Sequence, residues 1–219
     1  MTEAQPTTRH RSGGVPISKI PGVPVNYDLT PPRTALISID FQLAFGDGGW
    51  EQVPFAESAA QRFSELAKHW RTVGGTVIHV HTTFFKGETV PAGRETLMEG
   101  NAGASFYPEL VEDGDILIRK LGFSAVNGSD LLDVLKQRGF DTAIVGGLTT
   151  PICVETTCDG LSMAGIRVAV LSDATASQAI GTYSAELAHE FSIARIGYLV
   201  GQVITTEELI TSMSDTFAN

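Results

Sequence analysis

Cysteine sulfur does its chemistry as thiolate, so a cysteine whose surroundings favour that form is a candidate nucleophile. Two cysteines, Cys153 and Cys158, lie in the stretch DTAIVGGLTTPICVETTCDGLSMAGIRVAVLSD, from Asp141 to Asp173. Thr142 to Val145 is an apolar, β-branched run that predicts a buried strand, broken by Gly146-Gly147. Thr150-Pro151 then signals a helix start: threonine can cap free N–H groups, and proline at the first helical position gives up a donor that has no partner there. Cys153 falls in the first turn, where the helix dipole and free N–H groups favour thiolate and can hold an oxyanion. Val154, Cys158, Leu161 and Gly165 share one helical face, so Cys158 is expected in the core and Cys153, off that stripe, at the exposed helix mouth. An arbitrary cysteine is more often a small buried hydrophobe; the strand, the glycines and Thr-Pro set Cys153 apart.

Two further groups arrive at strand ends. Thr34 to Ile39 (TALISI) has the continuous apolar character of a central parallel strand and delivers Asp40 at its C-terminal end. Asp115 to Arg119 (DILIR) is a third strand, ending at Lys120. Between them, Pro54 to Val73 predicts an amphipathic helix with Phe55, Ala59, Phe63, Leu66 and Trp70 inward, and Val77 to Val80 a second strand. After the third strand come a helix from Ser129 to Arg138, with Leu131, Leu132 and Leu135 inward, and the strand and helix around Cys153. Arg167 to Leu171 is a fifth strand, Tyr183 to Ile196 a helix, Gln202 to Thr205 a short strand, and a terminal helix starts at Glu207. This alternation predicts an α/β fold with a mainly parallel, Rossmann-like sheet, whose ligands bind beyond the carboxyl ends of the strands. Asp40, Lys120 and Cys153 all reach that edge: a carboxylate, an ammonium and a thiol, which together make a nucleophile with its own proton carrier.

Other residues invite weaker readings. His79 and His81 share one side of the second strand; with no third ligand at suitable spacing they read as packed or hydrogen-bonded rather than as a metal pair. Residues 82–114 lack a periodic element, which suggests a lid or irregular short helices. Residues 1–33, rich in Pro and Gly, read as an extended or partly disordered arm, followed by one domain over 34–219.

With 219 residues, 42% of them hydrophobic, the chain is long enough for one well-buried domain and short for two. A net charge of −10 without a basic cluster argues against nucleic acid and anionic membrane as partners. No apolar run marks a signal peptide or a bilayer span, and the two cysteines diverge on one helix, so a cytoplasmic location with reduced thiols is expected. The expected partners are a small-molecule substrate and further copies of the same chain, as a dimer or tetramer.

These motifs resemble those of the isochorismatase-like hydrolase superfamily, which includes nicotinamidase, N-carbamoylsarcosine amidase and ureidoacrylate amidohydrolase. ALISIDFQLAF resembles the family's strand ending in Asp-x-Gln-x-x-Phe. RKLGFSAVNGSDLLDVL resembles its Lys-x-x-x-Ser-Ala-Phe segment, with Val126 for the usual phenylalanine, and GGLTTPICVETTCDGLSMAGIRVAVLSDATAS resembles its nucleophile segment almost throughout. The resemblance covers about residues 33 to 210. It implies a three-layer α/β/α sandwich, catalytic Asp40, Lys120 and Cys153, and hydrolysis of an amide, carbamoyl or ureide C–N bond. It also implies a cis peptide between Leu148 and Thr149 that turns the Thr149 and Cys153 N–H groups into one oxyanion hole. The loop FQLAFGDGGWEQVPF lacks the histidines of the nicotinamidase-type metal site, so neither metal nor cofactor is expected. Retention of Cys153 favours amide chemistry over isochorismate-type vinyl-ether hydrolysis. A thiol redox or sensing role would need a resolving thiol that Cys158 does not supply, and no G-x-G-x-x-G follows the first strand for a dinucleotide. Gln42, Phe45, Trp50, Phe84, Phe106, Tyr107 and Phe123, on loops at the active edge, are candidate pocket residues.

Overall fold

The computed structural model describes residues 21–46 and 52–217. Six parallel strands, β1 (Thr34–Ile39), β2 (Thr76–Thr82), β3 (Ile116–Lys120), β4 (Thr142–Leu148), β5 (Arg167–Ala176) and β6 (Gln202–Ile204), form one sheet in the order β3-β2-β1-β4-β5-β6. The helices are α1 (Ala56–Thr72), α2 (Leu131–Arg138), α3 (Glu155–Met163), α4 (Ala185–Leu199) and α5 (Thr206–Phe217). Side chains alternate across each strand. In β1, Leu36 enters the core under α1 and α5, with Phe63, Leu66, Trp70, Leu209 and Met213. Ala35, Ile37 and Ile39 enter the core under α2, α3 and α4, with Leu131, Leu135, Cys158, Leu161 and Ile196. The molecule is thus the expected three-layer α/β/α sandwich. Strand order reverses about β1, between β2 and β4, so the crevice of a doubly wound sheet opens beyond the ends of β1 and β4.

The segments depart from their sequence-based limits where packing outweighs local pattern. Gly146-Gly147 does not end β4, which continues to Leu148. Close neighbours on both sides require the glycines: a Cβ on Gly147 (φ 136°) would lie 2.2 Å from the Ile39 carbonyl oxygen of β1, and one on Gly146 would lie 2.8 Å from the Phe63 ring and 2.9 Å from the Ala174 carbonyl oxygen. β5 has ten residues, not five, and holds the polar Ser172-Asp173 within a register shift opposite Val145 and Gly147. Phe55 is not on the inner face of α1; it sits before the helix and is 69% exposed. Leu132 is only half-buried, unlike Leu131 and Leu135. Residues 82–114 contain two single 3₁₀ turns, Glu95–Leu97 and Ala102–Ala104. That segment is stitched to the loop after β1 by hydrogen bonds from Leu43 N to Ser105 O (2.9 Å) and from Tyr107 N to Phe41 O (3.1 Å), and Leu97 and Leu110 anchor it in the core.

Of the N-terminal arm, residues 1–20 lie outside the described residues. The remainder runs along α4 and β6, where Gly22 N donates to Tyr198 O (2.8 Å), Tyr27 N donates to Gln202 Oε1 (2.8 Å) and Leu29 is buried. Among the described residues no helix is long and apolar enough to cross a membrane.

Candidate active site

Asp40 leaves the end of β1 in a left-handed conformation (φ 51°), one that aspartate tolerates better than bulkier residues, and its N–H donates to Val80 O (2.9 Å). Lys120 is the last residue of β3, two strands away, and β2 between them contributes Thr82. The Lys120 side chain is 1% exposed, as is that of Asp40, and its Nζ lies 2.7 Å from Asp40 Oδ2. Thr82 bridges the pair: its hydroxyl donates to Asp40 Oδ1 (3.0 Å) and accepts from Lys120 Nζ (3.0 Å). The ammonium also donates to the Gly122 carbonyl (2.9 Å) and to Cys153 Sγ (3.5 Å). Three strand ends therefore bring the predicted Asp40, Lys120 and Cys153 into one cluster.

The segment bearing Cys153 differs from the expected helix start. Thr150 does not cap. Thr150–Val154 forms a π-turn that leads into α3, and the Thr150 hydroxyl is within 2.9 Å of His189 Nδ1 on α4. The Leu148-Thr149 peptide is cis. The Thr149 carbonyl accepts from Ile152 N (3.1 Å) and Val154 N (3.2 Å), passing over the N–H of Cys153 between them. Cys153 is half-buried and Cys158 is fully buried, which is the contrast the helical stripe predicts.

The thiol is not the ready thiolate expected of a helix mouth. Burial first, and then the Asp40 carboxylate, push the Cys153 pKa up to about 12, against the opposing pull of Lys120. Burial works to deprotonate Lys120 as well, but Asp40 and Cys153 outweigh it and raise the pKa of the ammonium. The resting cluster is therefore a protonated thiol beside a charged Lys–Asp pair, with the proton carrier in place.

The candidate pocket residues divide. Gln42 is fully buried and its amide is committed: Nε2 donates to Thr82 O and Ala104 O, and Oε1 accepts from Thr82 N, all at 2.9 Å. It fixes the backbone behind Thr82 and faces no open space. Phe45 (8% exposed) and Phe84 (4%) belong to the core under α1, so these two also fail as lining residues, because their rings turn inward from loops that only look exposed. Tyr107 packs partly buried against the same core. Phe106 is half-buried, with its ring 5.4 Å from that of His81 and 5.8 Å from that of His79. Phe123 is 51% exposed beyond Lys120, with the Arg94 guanidinium 5.3 Å from its ring centroid. Trp50 lies outside the described residues.

The two histidines are hydrogen-bonded, as their strand positions suggest: His79 to Ser38 (2.7 Å) and Asp115 (3.1 Å), His81 to Thr83 (2.8 Å). Among the described residues no group of three or more His, Cys, Asp or Glu is placed to hold a metal ion. Sequence reasoning missed Thr82 and His189. Reading β2 two residues longer would have put Thr82 at the reactive edge; no local pattern links His189 to Thr150.

Comparison with known proteins identifies a family. Residues 34–208 match the model of the isochorismatase domain. The uncharacterized isochorismatase family protein YrdC of Bacillus subtilis (strain 168) is 31% identical over 84% of this chain and 98% of its own length. The nicotinamidase/pyrazinamidase of Mycobacterium tuberculosis (strain ATCC 25618 / H37Rv) is 30% identical over 70% of this chain and 91% of its own. Among solved structures, a cysteine hydrolase from Pseudomonas syringae pv. phaseolicola 1448A superposes with a TM-score of 0.79 at 27% identity, covering 88% of this chain and 98% of its own. The chain belongs to the isochorismatase family of hydrolases.

Proposed function

We propose that this hydrolase cleaves a C–N bond of a small amide, carbamoyl compound or ureide through a thioester on Cys153. The observation that carries the reading is the Lys120 ammonium held at once against Asp40 (2.7 Å) and the Cys153 sulfur (3.5 Å) at the carboxyl edge of the sheet. The nicotinamidase/pyrazinamidase among the relatives, named for hydrolysis of amides, supports the same bond class.

Asp40 Oδ1 is occupied by the Thr82 hydroxyl, while Oδ2 receives no protein hydrogen bond beyond its ion contact with Lys120. Oδ2 is the base. It takes the Cys153 proton as sulfur bonds to the substrate carbon, so thiolate forms only during attack, consistent with a thiol pKa raised toward 12. The N–H groups of Thr149 and Cys153 receive the tetrahedral oxyanion, which collapses with breakage of the C–N bond as Asp40 returns its proton to the departing nitrogen. Water, deprotonated by the same carboxylate, then adds to the thioester carbon; the C–S bond breaks and the thiol recovers its proton. Lys120, whose pKa is raised by Asp40 and Cys153, stays charged throughout. The two cysteines are free thiols, which supports a reducing compartment such as the cytoplasm.

An ammonia-release screen over small amides, carbamoyl compounds and ureides, with Cys153→Ala as blank, tests the reading. Release with at least one compound class, abolished in the blank, is expected. Silence across the panel, or equal release from the blank, would overturn it.

A further inference from the structure

Thr150 opens the turn that carries Cys153, between the two residues whose N–H groups receive the oxyanion on the reading above. Its side chain is fully buried, and its hydroxyl meets His189 Nδ1 of α4 at 2.9 Å. The same imidazole hydrogen-bonds the Ser172 backbone of β5. A neutral imidazole has one N–H, and a backbone carbonyl only accepts, so that N–H belongs to Ser172 and Nδ1 is left to accept from the Thr150 hydroxyl.

We infer that neutral His189 is a positioning residue for the oxyanion hole: with Nε2–H on the Ser172 carbonyl and Nδ1 accepting from Thr150, it ties α4 and β5 to the turn that aims the Thr149 and Cys153 N–H groups. The inference rests on the thioester reading. Thr150 has no water to turn to, so loss of its acceptor strands a buried hydroxyl and pushes the turn out of place. A displacement of about 1 Å in a catalytic constellation costs about 100-fold in rate.

The imidazole is also open to titration. It is half-buried and lines a cavity of about 250 Å³ between the start of α1, β5 and the start of α4, a cavity to which Asp40, Lys120 and Cys153 do not contribute. The charged groups lining it are Arg62 of α1, Asp173 of β5, and Glu186 and Glu190 of α4 itself. Asp173 is engaged by the N–H and hydroxyl of Thr206 (2.9 and 2.7 Å), and Arg62 donates to the Asp173 carbonyl (3.2 Å). On α3, Glu155 and Asp159 pair with Arg195, six residues further along α4. Burial lowers the His189 pKa, and the Ser172 contact and the Glu190 charge oppose that without cancelling it, so the ring is neutral at pH 7. Protonation would turn Nδ1 from acceptor to donor. The contact is therefore made above the imidazole pKa and lost as pH falls through it.

The first test needs no substrate. Long-range proton–nitrogen NMR on the full chain, with the His189 signals among the five histidines identified by their loss in His189→Asn, should show the Nε2–H tautomer at pH 7 and protonation below the ordinary value of about 6.5. Thr150→Val removes the donor to Nδ1 and should let the ring take its proton at higher pH. An Nδ1–H tautomer, a charged ring at pH 7, or a titration that Thr150→Val leaves unmoved overturns the inference. With the substrate found by the ammonia screen, His189→Ala should lower kcat about 100-fold with KM within about threefold. His189→Asn, which can keep an acceptor facing Thr150 but does not titrate, should recover to within about tenfold of wild type and lose the wild-type acid limb assigned to His189. Thr150→Val should cost about as much as His189→Ala, and the double variant no more than either. A folded His189→Ala that turns over within about threefold of wild type, or losses that add in the double variant, overturns the inference and leaves the thioester reading standing. A silent panel beside the expected tautomer and Thr150-linked shift counts against the thioester reading and supports the His189 contact.

Discussion

Two clusters of polar side chains are buried in this sheet, and by hydrogen-bond geometry alone the one outside the proposed active site looks like a hydrolase. Under α1, Ser38 Oγ lies 2.7 Å from His79 Nδ1 and His79 Nε2 lies 3.1 Å from Asp115 Oδ2, a serine, a histidine and an aspartate in line. An ionised carboxylate only accepts, so Nε2 carries the hydrogen toward Asp115 and Nδ1 faces the serine. Yet Ser38 and His79 are fully buried in mid-strand, the imidazole is closed in by Phe63 and Phe106, and Asp115 is tied to Arg71 (2.6 Å) and to Glu112 N (2.8 Å). No substrate reaches it. Asp40, Lys120 and Cys153, unlike Ser38, lie at or just beyond the ends of strands, beside the point where strand order reverses. On the proposed reading, position on the sheet, rather than hydrogen-bond order, separates the reactive cluster from the structural one.

The largest effect that can break this comparison is on turnover. With the substrate found by the ammonia screen, Cys153→Ala should lower kcat by about 10⁴-fold or more, whereas Ser38→Ala should leave it within about twofold. Asp40→Asn and Lys120→Ala should each cost several orders of magnitude, and their losses should not add, because the three groups act as one unit. Steady-state kinetics on the purified variants decides. Loss of activity in Ser38→Ala at unchanged stability would erase the distinction.

Much of the candidate cluster was legible in the sequence because its members sit at breaks in hydrophobic runs: Asp40 after TALISI, Lys120 after DILIR, and Cys153 after a strand, two glycines and Thr-Pro. The six strands and a mainly parallel sheet follow from the same alternation. What stayed hidden depends on contacts between distant residues. Thr82 looks like ordinary strand filler until the register of β2 with β3 sets it opposite Lys120. Gln42, Phe45 and Phe84 sit in loops whose inward turn has no local signature. The thiol pKa was misjudged for a related reason: helix position can be read from sequence, but burial and the Asp40 charge, which outweigh it, belong to the folded chain.

A second test separates the two cysteines and the two states of the Cys153 thiol. Because its pKa is pushed up to about 12, the thiolate fraction in the free protein should rise about tenfold per pH unit, so alkylation of Cys153 by iodoacetamide should accelerate about 100-fold from pH 7 to pH 9 without a plateau. Cys158, fully buried with its pKa raised by burial, should stay unlabelled across that range. Mass mapping of briefly alkylated protein reads both. A plateau already reached at pH 7 would mean a resting thiolate, and labelling of Cys158 first would remove Cys153 as nucleophile.

The smallest effect falls on the structural cluster and is one of stability. Burial alone would raise the Asp115 pKa; hydrogen bonds from His79, Arg71 and the Glu112 N–H outweigh it and hold the carboxyl well below the usual carboxylate range. A folded-state pKa below the unfolded value of about 3.9 means that this group stabilises the fold fully above that value, and that the contribution is lost as pH falls through the depressed folded pKa. Asp115→Asn should therefore cost about 2–3 kcal/mol at pH 7, the loss expected when a buried, hydrogen-bonded charge is removed from its partners. The gap between wild type and variant should hold down to about pH 5 and narrow below pH 4, as the wild type gives up its own advantage. Urea unfolding of both chains at pH 7, 5 and 3 measures it. Turnover, at the carboxyl edge of the sheet, should change by less than about threefold at pH 7, so a variant that loses activity while keeping its stability would tie Asp115 to the chemistry and overturn the separation of the two clusters.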